Sequence, residues 1–107
     1  KTESDADRLL REAKALEEAG CFSVVLECVT EAVAKRITES VRCLTIGIGS
    51  GNVCDGEVLV INDVLGFSPG KAPKFARPRL DLKTLVRGAA EDYVRETKGR
   101  TEKEINQ

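Results

Sequence analysis

The residue type and setting that could do chemistry are clearest at Glu27. It interrupts the run Phe22-Ser23-Val24-Val25-Leu26-Glu27-Cys28-Val29, which is otherwise β-branched and apolar. Such a run reads as a parallel strand buried on both faces. A carboxylate in it must be paired, or must stand at the strand's carboxyl end, where α/β proteins build their sites. The residues alone leave two readings open. One is an ion pair with a lysine or arginine of a neighbouring strand. The other is a general base that takes a proton from substrate.

Two further groups carry possible chemistry. Gly47, Gly49 and Gly51 alternate through Thr45-Ile46-Gly47-Ile48-Gly49-Ser50-Gly51, so one face of that strand end carries no side chain. Either the backbone approaches a ligand there or the glycines relieve crowding in a tight interior. The spacing is not a dinucleotide fingerprint, because no helix follows to set its N-terminus against phosphate. Asp63 follows an apolar run as Glu27 does, and a loop-capping or salt-bridging role is the commoner outcome for such an aspartate.

The elements that must position these residues follow from periodicity. Ser4 and Asp7 resemble a capping box, with Ala6, Leu9, Leu10, Ala13 and Leu16 at helical spacing and Gly20 as the stop. After the Glu27 strand, Thr30 caps a second helix that buries Val33, Ile37 and Val41. A second strand, Leu44–Ile48, leads through the glycines and a turn at Asp55-Gly56 to a third strand, Val58–Ile61. Residues 64–80 carry Gly66, Pro69, Gly70, Pro73 and Pro78 and read as a long irregular loop. A last helix opens at Asp81, buries Leu82, Leu85, Val86, Ala89 and Tyr93, and ends near Gly99. The first two strands, joined by a helix, are expected to be parallel. The next connection is short for a parallel crossover, so the third strand either turns back or follows an irregular passage.

Bulk properties narrow the classes. Seventeen basic and 18 acidic residues nearly cancel over 107 residues, at net −1, so there is no basic footprint for nucleic acid. Lys74, Arg77 and Arg79 read as a solvated loop. No run is long enough to span a bilayer and no signal peptide is visible, so no membrane and a cytoplasmic location are expected. Cys21, Cys28, Cys43 and Cys54 lack C-x-x-C spacing and the chain has no histidine, which argues for free thiols and against zinc. One small domain fits the length, yet three strands would leave open edges and a bare core face. The chain reads as a portion of a larger sheet or barrel.

Several segments in register resemble ketopantoate hydroxymethyltransferase: Leu16–Gly20, Val25–Val29, Ala34–Glu39, Thr45–Gly51, Asp55–Val60, Asp63–Gly66 and Pro73–Phe75. The similarity runs from about residue 5 to residue 98. The resemblance implies an α/β fold, the C-terminal part (strands six to eight with flanking helices) of a (β/α)8 barrel that is incomplete on its own. Residues 1–99 would form the partial barrel domain and 100–107 a polar tail. The implied activity is transfer of a one-carbon unit from 5,10-methylenetetrahydrofolate to 3-methyl-2-oxobutanoate with Mg²⁺, making ketopantoate for pantothenate and coenzyme A synthesis. Glu27 matches the family's general base, and Gly49, Ser50 and Gly51 become candidate substrate-binding residues. The metal-binding carboxylates, and the serine and lysine that hold the keto acid, belong to the part not present. No metal ligand is therefore assigned in this chain.

Asn62 departs from the histidine often found there, and the tail after Gly99 departs from the family's usual ending. Lys1 falls about where the family has a flexible loop after its fifth strand, as a cleavage or split gene would leave it. The expected partners are a small-molecule substrate and a complementary N-terminal barrel portion, the complete enzyme being a homo-oligomer. The alternatives are another enolate-forming α-keto-acid barrel enzyme, or a non-catalytic fragment serving as an assembly module.

Overall fold

The computed structural model describes residues 3–100, with side chains from residue 5 onward. The side chain of Ser4, expected to cap the first helix, and the tail residues 101–107 lie outside what the structure describes. The chain divides into two compact units, Lys1–Leu59 and Val60–Gln107.

In the first unit, α1 (Glu3–Glu18) ends where Gly20 takes a φ of 106°. Gly20 N–H donates to Glu17 O at 3.0 Å and Cys21 N–H to Leu16 O at 3.2 Å. This pair closes the helix in a Schellman motif that needs a left-handed residue, so the glycine is the stop. The chain re-enters as β1 (Ser23–Glu27), crosses through α2 (Glu31–Ser40) and returns as β2 (Leu44–Ile48). The two strands pair in parallel with Ser23 opposite Leu44 and Glu27 opposite Ile48. Thr30 is the N-cap of α2 as expected, but its side chain makes no capping hydrogen bond.

The parallel register sorts side chains onto two faces. Val24, Leu26, Thr45 and Gly47 are buried. Val24 and Leu26 belong to a core with Ala13, Val29, Ala34 and Ile37, flanked by Leu9, Leu10 and Val33. The opposite face carries Val25, Glu27, Leu44, Ile46 and Ile48, and Val25 there is 60% exposed. The expectation of a strand buried on both faces is therefore corrected. Both helices of the first unit, α1 and α2, pack on one side, and within that unit the other side of the apolar run is uncovered.

Glu17 and Asp55 fix the start of β2 from two directions. Glu17 Oε2 accepts from the N–H groups of Arg42 at 2.5 Å and Cys43 at 2.6 Å. The Cys43 N–H, with help from Arg42, holds this carboxyl below its ordinary pKa. Asp55 Oδ2 accepts from Thr45 N–H at 2.8 Å and from its hydroxyl at 3.3 Å, while Asp55 N–H donates to Thr45 Oγ1 at 3.2 Å. Thr45, wholly buried, also meets Thr38 Oγ1 at 2.9 Å. A buried hydroxyl with this many partners is satisfied rather than costly.

This tie explains the short connection. The passage from residue 49 to 55 holds no helix, yet β3 (Gly56–Glu57) lies parallel to β2, with Ile46 opposite Gly56. The third strand expected over Val58–Ile61 is not there. After Val58 N–H donates to Gly47 O at 3.0 Å the pairing stops, and Ile61 already begins α3.

The second unit contains α3 (Ile61–Val64), the irregular stretch from 65 to 80 and α4 (Leu82–Lys98). Arg79 N–H donates to Val64 O at 2.7 Å and Leu82 N–H to Leu65 O at 2.9 Å, which ties the two ends of the loop. Asp81 caps α4, accepting from Thr84 N–H and its hydroxyl, and these bonds lower its pKa. The expected burial along α4 is corrected: none of its residues is buried, and Leu85, Val86 and Tyr93 are exposed. The periodicity marks an apolar stripe that the rest of the second unit leaves open. Among the described residues no helix is long and apolar enough to cross a membrane.

Candidate active site

Glu27 closes β1 at the carboxyl end of the sheet, on the uncovered face beside Ile48. Among the described residues its carboxylate has no hydrogen bond or ion pair, so the ion-pair reading finds no partner. A cavity of about 180 Å³ runs along the same strand, lined in part by Leu9, Leu16, Val25 and Glu27.

The backbone turns sharply just after the acid. Cys28 takes a φ of 53°, the only non-glycine residue with positive φ among those described. Its N–H donates to Ile48 O at 2.9 Å. Ser50 completes the turn. Its hydroxyl donates to Leu26 O at 2.6 Å and accepts from Val29 N–H at 3.0 Å, and the residue is 1% exposed. One hydroxyl thus joins the main chain on both sides of the Glu27-Cys28 pair.

The glycine run does lie beside Glu27, as the parallel pairing requires, but its members differ. Gly47 is on the buried helix side, where a Cβ would stand 3.1 Å from Cys54 Sγ. Its missing side chain makes room for a thiol, away from the face of Glu27. Gly49 and Gly51 take φ of 69° and 75° past the strand end, and a Cβ at Gly51 would fall 2.5 Å from a Glu31 carboxylate oxygen. These two glycines serve the tight passage to β3.

Asp63 stands in α3 of the second unit and accepts a hydrogen bond from the Ser68 hydroxyl, in keeping with a loop-holding role. Lys74, Arg77 and Arg79 are exposed. All four cysteines are free thiols. Among the described residues no group of three or more His, Cys, Asp or Glu side chains stands together as a metal site would require.

The turn at Cys28 and the Ser50 tie were not visible in the sequence. Cysteine carries no preference for left-handed backbone, and the partners of a serine hydroxyl depend on how two strands register.

A parallel sheet with helices on one face and an unpaired acid at its carboxyl end belongs to the α/β class that sets its chemistry at strand ends. The ketopantoate hydroxymethyltransferase family model matches residues 1–101, and the chain belongs to that family. The 3-methyl-2-oxobutanoate hydroxymethyltransferase of Carboxydothermus hydrogenoformans is 54% identical over 93 residues, covering 87% of this chain and 34% of that protein. The same-named proteins of Syntrophus aciditrophicus and Sulfurisphaera tokodaii are 48% and 51% identical, covering 94% and 92% of this chain. The chain spans about a third of the length of these curated relatives.

Proposed function

We propose that this chain supplies the general base of a one-carbon transferase making ketopantoate from 3-methyl-2-oxobutanoate and 5,10-methylenetetrahydrofolate. In this reading its sheet is strands six to eight of a (β/α)8 barrel. The observation that carries the proposal is the free Glu27 carboxylate at the carboxyl end of β1, on the sheet face opposite the two helices of the first unit. Glu27 takes the proton from carbon 3 of the keto acid. Water adds to the methylene carbon and both of its carbon–nitrogen bonds break, releasing tetrahydrofolate and a formaldehyde unit. The enolate attacks that carbon, a carbon–carbon bond forms, and the carbonyl oxygen takes up a proton to become the hydroxyl of ketopantoate. The apolar side chains of Val25, Ile46 and Ile48 suit the branched alkyl part of the substrate. Gly49 and Gly51 offer main chain close by without side chains in the way.

The remainder of the site belongs to a complementary N-terminal portion. The cavity along β1, with Leu9, Leu16 and Val25 on its walls, supports that reading, because a strand edge of this kind invites another parallel strand. The test is deuterium exchange at carbon 3 of 3-methyl-2-oxobutanoate, with this chain assembled onto the N-terminal portion of the Carboxydothermus relative. Glu27→Gln keeps the shape and removes the base, so exchange should fall by 10²-fold or more, on the order of general-base contributions. Exchange at the unsubstituted rate would remove Glu27 from the mechanism.

A further inference from the structure

We infer that Ser50 is a positioning residue for Glu27, acting by holding the strained turn at Cys28; the inference rests on the proposed role of Glu27 as base. The Glu27 carboxylate makes no hydrogen bond of its own among the described residues, so only the main chain on either side fixes where it points. That main chain includes a non-glycine residue at a φ of 53°, a conformation that persists only when its surroundings hold it.

The surroundings are three bonds. Ile48 O takes the Cys28 N–H, and the Ser50 hydroxyl joins Leu26 O to Val29 N–H. The first is main chain to main chain and survives any side-chain change. The other two depend on one oxygen, buried where water does not reach it. Without that oxygen, Leu26 C=O and Val29 N–H are left unpaired and the turn relaxes toward negative φ. Glu27 sits between them and swings with it. Ser50 therefore acts through the backbone of β1 and does not touch substrate.

The experiment uses the same assembled enzyme and follows carbon 3 exchange, normalised to folded assembly by circular dichroism. Ser50→Ala should lower kcat about tenfold, the effect of a modest misplacement, with KM for the keto acid unchanged. The Val29 amide should also lose its protection from hydrogen exchange. Adding Cys28→Gly, which adopts positive φ without strain, should restore most of kcat. If Ser50→Ala compromises folding, Ser50→Thr retains the hydroxyl and should keep kcat near the unsubstituted value. Unchanged kcat in Ser50→Ala, a loss confined to KM, or no recovery with Cys28→Gly would each overturn the assignment. Glu27→Gln run alongside separates this failure from that of the base itself: if Glu27→Gln still exchanges, the base reading has failed, whatever Ser50 does.

Discussion

Glu17 shows how much one side chain can fix when it faces main chain instead of another charge. Its carboxylate takes two N–H groups at the entry to β2, and those bonds hold its pKa below the ordinary value. A carboxyl whose folded pKa is depressed stabilises the fold above its unfolded pKa, and that contribution fades as pH falls through the folded value. Glu17→Gln should therefore lower the urea midpoint at pH 7, and the gap from the unsubstituted chain should narrow steadily below pH 4.5. A gap that stays constant with pH would mean the carboxylate charge contributes nothing. The same setting pushes the Cys43 thiol up, through partial loss of water and the neighbouring Glu17 charge. At this scale the sequence was legible where a residue type clashed with its setting. Glu27 stood out as a charge in an apolar run, whereas Ser50 looked like one more small residue among glycines.

Elements were legible where a local stop or cap marks them. Gly20, Thr30 and Asp81 bound their helices at the expected places. The third strand was misread because Val58-Leu59-Val60-Ile61 has the composition of a strand, while the pairing is decided elsewhere. Asp55 fastens to Thr45, so Gly56 and Glu57 meet β2 first, and Ile61 is already helical. Thr45→Val tests that fastening. It removes a buried hydroxyl shared by Thr38 and Asp55 at nearly constant volume, and should cost about 1–3 kcal/mol by denaturant unfolding. A cost near zero would mean that the passage from 49 to 55 holds itself in place. The α4 stripe was read correctly as a pattern and wrongly as burial, since periodicity reports which side is apolar and not whether anything lies against it.

At the scale of the whole molecule, the first unit presents Phe22 at 85%, Val25 at 60% and Leu44 at 55% exposure beside the unpaired edge of β1. Apolar surface of that kind marks a contact to be made. The isolated chain should bind a hydrophobic dye such as ANS strongly, and adding the N-terminal portion of a relative should lower that fluorescence several-fold. No change on mixing would count against a shared barrel. The membership of a larger fold was legible in three apolar strands too few to close a core. Which face would stay bare was not, because that depends on both helices packing to the same side. One consequence of the sheet concerns time. Ser23 meets Leu44 across a single helix, and Ile46 meets Gly56 across one short passage. Every strand pairing in the first unit thus closes a small loop, so its sheet can form early and quickly. The strand bearing Glu27 would then be in place as a template before any partner arrives.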